Sequence, residues 1–400
     1  MRARELSLRR NKMSITSLDS EYIAKTYNRF PVEIVSGKGA VFTDSSGKEY
    51  IDMGSGIGVN IFGASDTEWK NAVISQLDKV QHTSNLYYTE PCVKLAALLC
   101  EKTGMSKVFF SNSGAEANEC AIKAARKYAA EKKGDDCFTV VTMKNSFHGR
   151  TLTTLSATGQ EHYHELYNPL TPGFVSVTAE KPEELIALSG KTKIAAVLFE
   201  CIRGEGGVIP LSKDYVKFLR DFTEKEDILL MVDEVQTGNG RTGKLYSYMN
   251  YGITPDVVST AKGLGGGLPI GATLLSEKVE NVFDFGDHGS TFGGNPVCCA
   301  GAYNVISRLD DKFLSEVSRK GKILTDMFSD VPEIEEVTGR GLMLGLKTKR
   351  NAAEVVKKCV SDGVLCLTAK DRVRLLPPLT IPDALLVKAA RIIINACKGE

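Results

Sequence analysis

An α/β fold with a mainly parallel sheet is predicted by three observations. Short apolar strands recur along the middle of the chain with little polar alternation, so both of their faces are expected to be buried. Stretches of helical periodicity separate them. Glycine clusters follow several strand ends, the edge at which such sheets place ligands.

The elements follow in order. AVFTDSSGKEYIDM (40–53) reads as a hairpin around a Ser-Ser-Gly turn. KVFFS (107–111) is a strand, and Asn112-Ser113-Gly114 then opens a long helix closed by Gly134. In that helix Ala117, Cys120, Ala121, Ala124 and Tyr128 fall on one face. FTVVTM (138–143), AAVLFE (195–200), ILLMVDE (228–234) and DVVSTA (256–261) are further strands. DYVKFLRDFTEKE (214–226) is a connecting helix. From about residue 301 long helices alternate with fewer strands, as expected of a smaller α+β domain. The expected division is a disordered leader at 1–20, an N-terminal segment at 21–65 joining the small domain, a large domain at 66–300, and the rest of the small domain at 301–400.

Bulk properties narrow the function classes. The chain has 400 residues, enough for two domains. Fifty basic residues against forty-nine acidic ones give no bulk attraction to nucleic acid or to an anionic membrane. No apolar run approaches the length of a membrane span. The ten cysteines form no C-x-x-C pair and read as structural thiols of a reducing cytoplasm. MRARELSLRRNK, at the start, is Arg-rich; a transit peptide to mitochondria is the alternative to a plain leader. His162 and His164, in EHYHEL, lack the further ligands of a metal site, and no metal is expected.

Gly238 to Lys244 forms a G-x-x-x-x-G-K string, but position 245 is Leu rather than Ser or Thr. It also follows an acidic strand end directly instead of opening a helix, so a nucleotide-binding regulatory protein is disfavoured. Pyridoxal 5′-phosphate accounts better for the same stretch. That cofactor needs a carboxylate for its ring proton, a lysine for its aldehyde, donors at a helix N-terminus for its phosphate, and walls for its ring. Asp233 ends a buried strand, although alone it reads equally well as a cap or salt-bridge residue. Lys262 follows the next strand among glycines, Ser113-Gly114-Ala115 lies between a strand and a helix, and Phe147 follows another strand.

NSGAEAN, SFHGRT, VDEVQTGNGRTGK, AKGLGGG and HGSTFGGNP, in this order, resemble the class III pyridoxal-phosphate aminotransferases; GRGLMLG and VRLLPPLTI extend the match. Within that class FHGRT and RLLPPLTI are most similar to the acetylornithine aminotransferases. The resemblance implies fold type I, with a large domain, a small domain built from both termini, and a homodimer whose active sites are shared. It implies that Lys262 is the Schiff-base lysine and proton shuttle and that Asp233 is the ring-nitrogen partner. Gln236 would bond the ring 3′-oxygen, and Val235 and Phe147 would sandwich the ring. Ser113, Gly114 and Ala115 would hold the phosphate, with Thr291 added from the neighbouring subunit and Ser290 at the substrate entrance. Arg150 would hold a substrate carboxylate. Arg374, with Arg372 as a competing choice, would be the second carboxylate-binding arginine, and Glu205 its switch partner.

What the resemblance implies for activity is transfer of the terminal amino group of N2-acetyl-L-ornithine to 2-oxoglutarate in arginine biosynthesis, with succinyldiaminopimelate as a further donor. Ornithine and 4-aminobutyrate are the nearest alternative donors. A racemase or mutase on the same scaffold would need no 2-oxoglutarate, and the Glu205/Arg374 pair argues against it. The sequence departs from the family pattern at ECIRGEGG, where Cys201 and Arg203 stand in place of Pro and Gln. FGASDTEW (62–69) lacks the usual Gly-His-x-x-Pro. Both departures bear on donor choice rather than on cofactor chemistry.

Overall fold

The computed structural model describes residues 14–400; the basic start of the leader lies outside the described residues. The expectation of a disordered leader over 1–20 is corrected where the structure describes it: Ile15–Tyr22 is a helix, which Ser14 caps by accepting a hydrogen bond from the Ser17 N–H.

A seven-stranded sheet forms the centre. In spatial order its strands are Lys107–Ser111, Gly271–Leu275, Val257–Thr260, Leu229–Asp233, Ile194–Phe199, Thr139–Met143 and Phe174–Val177. All run the same way except Gly271–Leu275, which is antiparallel to both neighbours. The unbroken apolar character of the inner strands has a direct cause. Leu229 and Met231 pack with Ala121 and Ala125 of the helix Gly114–Lys133 on one face. Leu230 and Val232 point the other way and pack with Tyr215, Val216 and Leu219 of the helix Lys213–Lys225. Successive side chains alternate between faces, so a strand covered on both sides is apolar at every position.

Two smaller sheets flank this core. Ile34–Lys38, Val41–Asp44 and Glu49–Asp52 form an antiparallel meander, and Val364–Leu365 from the C-terminal part pairs parallel with Glu49–Asp52. The Ser-Ser-Gly turn is closed by Asp44, whose Oδ1 accepts hydrogen bonds from the Ser46 and Lys48 N–H groups, with Gly47 at φ 86°. The other sheet is antiparallel, in the order Ile334–Arg340, Met343–Thr348, Arg372–Leu375, Leu367–Ala369. Helices Asp311–Ser329, Ala352–Ser361 and Asp383–Lys398 pack around it and against each other.

The loop after Leu229–Asp233 ties the central sheet to this C-terminal sheet. Arg241 is only 1% exposed, and its Nη1 donates to the carbonyls of Leu342 and Pro377. Leu342 N–H donates back to the Arg241 carbonyl. The buried Asp52 carboxylate supplies compensating charge. Removing the guanidinium strands two carbonyls and an acid away from water. Arg241→Met is expected to lower stability by about 2–4 kcal/mol in urea unfolding of the cofactor-free protein. A change below about 0.5 kcal/mol would show that the guanidinium is not a strut.

Candidate functional site

The carboxyl ends of the parallel strands converge on a cavity of about 600 Å³. Ser113, Gly114, Ala115, Phe147, Arg150, Asp233, Val235, Gln236 and Lys262 all line it, as do Asn118, His148 and Glu200. A depression of similar size around Arg220 and Asp256 contains none of these residues.

One wall is the N-terminus of the helix Gly114–Lys133. Ser113 and Glu116 form a capping box: Ser113 Oγ accepts from the Glu116 N–H, and the Glu116 carboxylate accepts from the Ser113 hydroxyl and the Asn112 N–H. That arrangement uses the Ser113 side chain as a cap. It leaves the N–H groups of Gly114 and Ala115 without a partner among the described residues, at the positive end of a 20-residue helix. Glycine is required at 114 because a Cβ there would lie 2.6 Å from Val235 Cγ1. These features fit a phosphate.

The two acids at the end of the strand Leu229–Asp233 part company. Glu234 is fully buried and pinned by Ser247, Tyr248 and Thr237, so it is structural. Asp233 turns to the cavity. Its Oδ2 lies 2.8 Å from both Asn118 Nδ2 and His148 Nδ1, and its Oδ1 accepts from the Val235 N–H at 3.0 Å. The carboxylate keeps acceptor capacity for a protonated ring nitrogen. Glu200, at the end of the neighbouring strand, accepts from the Phe147 and Gly204 N–H groups. Burial, with Asp233 adding to it and His148 opposing, pushes its carboxyl up to about 7.

Lys262 begins a 3₁₀ turn with φ 48°, a left-handed conformation that costs a β-carbon residue energy and is retained where position matters. Asn239 pins that turn by donating to Thr260 Oγ1 and the Ala261 carbonyl. Burial lowers the Lys262 ammonium; Arg374 assists, while Glu205, Asp233 and Glu200 oppose.

Arg374 is 4% exposed, and its Nη1 lies 2.5 Å from Glu205 Oε1. Burial alone would raise the Glu205 carboxyl, but Arg374 outweighs it and holds it below its usual value. Gln236 bridges the pair, accepting from Arg374 at 3.2 Å and donating to Glu205 at 3.3 Å. Each end of its amide keeps one further hydrogen-bonding valence. Arg372 is engaged elsewhere, with Glu336 at 2.5 Å. Arg203 also turns aside, donating to the Lys144 carbonyl, and Cys201 fills a fully buried position. Arg150 has no ion pair among the described residues; its Cζ lies 5.5 Å from the Phe147 ring centroid and 4.8 Å from that of Tyr163.

Ser290 is tied to the phosphate-binding end by Asn112 Nδ2, 3.0 Å from its hydroxyl. Thr291 is exposed and does not line the cavity of its own chain. His164 donates from Nε2 to the Leu155 carbonyl at 2.8 Å, and the His162 ring lies tilted against that of Tyr163. Asn118, His148 and Glu200 were given no role by the sequence reading. Glu200 carried the same signal as Asp233, an acid closing an apolar strand. Asn118 carried a helical one, four residues beyond Gly114.

The cradle, the buried acid, the partnerless amine and the walls of Phe147 and Val235 fit pyridoxal phosphate. The class-III aminotransferase family model matches residues 22–397. The acetylornithine aminotransferase of Haemophilus ducreyi is 46% identical over 381 residues, covering 95% of this chain and 97% of that one. That of Methanocaldococcus jannaschii is 43% identical, covering 91% and 93%. The ornithine aminotransferase of Toxoplasma gondii superposes with a TM-score of 0.93 at 31% identity, covering 99% of this chain and 98% of that one. The N-acetylornithine aminotransferase of Stenotrophomonas maltophilia superposes at 0.84 with 33% identity, covering 96% and 99%. The chain belongs to the class-III aminotransferase family, and its cofactor is pyridoxal phosphate.

Proposed function

We propose that the enzyme moves the terminal amino group of N2-acetyl-L-ornithine to 2-oxoglutarate, yielding N-acetylglutamate 5-semialdehyde and glutamate for arginine biosynthesis. The observation that carries this reading is the unequal state of two arginines. Arg150 is uncovered, while Glu205 neutralises Arg374 at 2.5 Å. A donor with one carboxylate needs one arginine; a keto acid with two needs both. The relatives named above support the donor. The close superposition on an ornithine aminotransferase favours ornithine as a second reading.

Bound pyridoxal phosphate supplies an aldehyde that takes up the amino group and a ring that accepts electrons. In this reading the Gly114 and Ala115 N–H groups hold its phosphate, and Asp233 places negative charge against the ring nitrogen. Asn118 and His148 keep that carboxylate oriented. With the cofactor bound, Lys262 Nζ, made easier to deprotonate by burial, would accept the proton of the substrate's amine-bearing carbon and would deliver it to the carbon that was the cofactor's aldehyde. Glu205 covers Arg374 while the donor is bound and leaves it when 2-oxoglutarate arrives.

The same reading makes the molecule a homodimer in which Thr291 completes the partner's phosphate site. Exposed Leu86, Tyr87, Tyr88 and Phe292 beside that loop support a covered face. It also divides the chain into a cofactor domain at 66–300 and a second domain from 21–65 and 301–400, which the pairing of Val364–Leu365 with Glu49–Asp52 supports. No helix among the described residues is long and apolar enough to cross a membrane. A cytoplasmic enzyme is the proposed setting, supported by ten cysteines without a disulfide.

The primary test follows the visible absorption of the holoenzyme with each donor and no keto acid. N2-acetylornithine should bleach the band at lower concentration than ornithine or 4-aminobutyrate, and 2-oxoglutarate should restore it; bleaching by ornithine alone would move the assignment to the second reading. Asp233→Asn keeps shape and loses charge, so the bleaching rate should fall on the order of 10²–10⁴-fold. A loss below about threefold would remove Asp233 from the chemistry. Arg374→Lys should raise the KM for 2-oxoglutarate roughly 10–100-fold and that for the donor by less than about threefold; equal effects on both would end the gating argument.

Glu200 gives a pH signature. Its folded-state pKa of about 7 lies above the ordinary value of 4.5, so its stabilising contribution is full below 4.5 and is lost as pH rises through 7. Unfolding of cofactor-free Glu200→Gln should therefore show less loss of stability than wild type between pH 5 and 8. Parallel pH profiles for the two proteins would contradict the raised carboxyl.

A further inference from the structure

A long, exposed guanidinium without a partner loses rotamer freedom when a substrate fixes it, and that loss weakens binding. Arg150 is exposed, yet it is held in advance. Its Cζ sits over the Tyr163 ring at 4.8 Å and the Phe147 ring at 5.5 Å. The two rings meet edge to face, with centroids 5.8 Å apart and planes at 70°, so the cation rests in the notch between them. His162 backs the outer side of Tyr163 at 3.9 Å. The Arg150 N–H groups make no hydrogen bond among the described residues, so this mounting leaves donors for both oxygens of a carboxylate.

The mounting of Tyr163 is built rather than incidental. Buried Gln160 donates from Nε2 to the Ser146 carbonyl, and its own carbonyl accepts from the Tyr163 N–H. Asn145 N–H donates to the Gly159 carbonyl, and His148 N–H donates to Thr158 Oγ1. Segment 158–163 is thus clamped onto the loop that carries Phe147 and Arg150.

We propose that Tyr163 is a positioning residue that holds Arg150 ready for a carboxylate and thereby sets the preference for carboxylate-bearing amino donors. The proposal rests on the reading of Arg150 as the residue that binds the donor's carboxylate. It also gives the EHYHEL stretch a role other than metal binding.

The test uses the holoenzyme and two amines, N2-acetylornithine and N-acetyl-1,4-diaminobutane, which is the same amine without the carboxylate. Bleaching of the visible band yields an apparent Kd and a limiting rate for each. Tyr163→Leu and Tyr163→Gln should each raise the Kd for N2-acetylornithine on the order of three- to tenfold and leave the limiting rate within about twofold. The Kd for the carboxylate-free amine should not move, and Tyr163→Phe should recover most of the loss. Equal weakening of both amines, or no weakening, overturns the role of Tyr163. Arg150→Gln separates the two ways to fail. If it treats both amines alike, the reading of Arg150 falls; if it discriminates while the Tyr163 variants do not, only the stacking proposal falls.

Discussion

A carboxylate taken almost wholly out of water must be met by donors, and Asp233 meets this requirement in a way that organises the site. Each of its three hydrogen bonds fixes a different element. Asn118 fixes the helix whose first turn offers the Gly114 and Ala115 N–H groups. His148 fixes the loop that carries Phe147 and Arg150. Val235 N–H fixes the turn toward Gln236. Asn118 extends the network by accepting from Ser259, in the strand Val257–Thr260 that leads to Lys262. One buried charge therefore sets the mutual positions of the phosphate cradle, the ring walls and the lysine.

The surrounding charges are coupled to that arrangement. Lys262 feels Glu205, Asp233 and Glu200 as opposing charges and Arg374 as a like charge. If Glu205 leaves Arg374, as the proposed exchange requires, an attractive charge moves off and a repulsive one is uncovered, so the lysine amine is freed further. A carboxylate arriving at Arg374 restores the balance. The pair proposed to select between donor and acceptor would thus also tune Lys262, the proposed proton carrier, because buried charges are weakly screened from one another.

How much of this is legible in sequence depends on how local each signal is. Thr139–Met143, Ile194–Phe199, Leu229–Asp233 and Val257–Thr260 stand out because burial on both faces makes them almost continuously apolar, and the edge strand Lys107–Ser111 is marked instead by its Val-Phe-Phe run before the Asn-Ser-Gly turn. Phe174–Val177 is an edge strand with mixed exposure, and Gly271–Leu275 sits beside Gly- and Pro-rich sequence, so neither announces itself. Asp233, Lys262 and Gly114 are readable from strand ends and glycines. Asn118 and Tyr163 act through contacts across 115 and 13 residues of chain, respectively, to Asp233 and Arg150, and no spacing rule reports such contacts. Ser113 shows the opposite limit: its local signal is clear, but it marks a helix cap, and the cradle belongs to the two backbone N–H groups that the cap leaves over.

The two kinds of recognition ride on different parts of the fold. Lys262, Asp233 and the N–H groups of Gly114 and Ala115 all lie at the carboxyl edge of the central sheet, whose inner strands are held on both faces. Arg374 belongs to the antiparallel C-terminal sheet, does not itself line the cavity, and meets it through Gln236, across the junction that Arg241 bridges. A small shift of that sheet changes where a second carboxylate is received and leaves the amine chemistry in place. Tyr163 and Arg150 stay with the central sheet, so in the proposed reading the first carboxylate is held in the same frame as the reacting amine. Its distance from that amine is then set by covalent spacing in the donor, which is the physical basis on which a terminal amine is chosen over one next to the carboxylate.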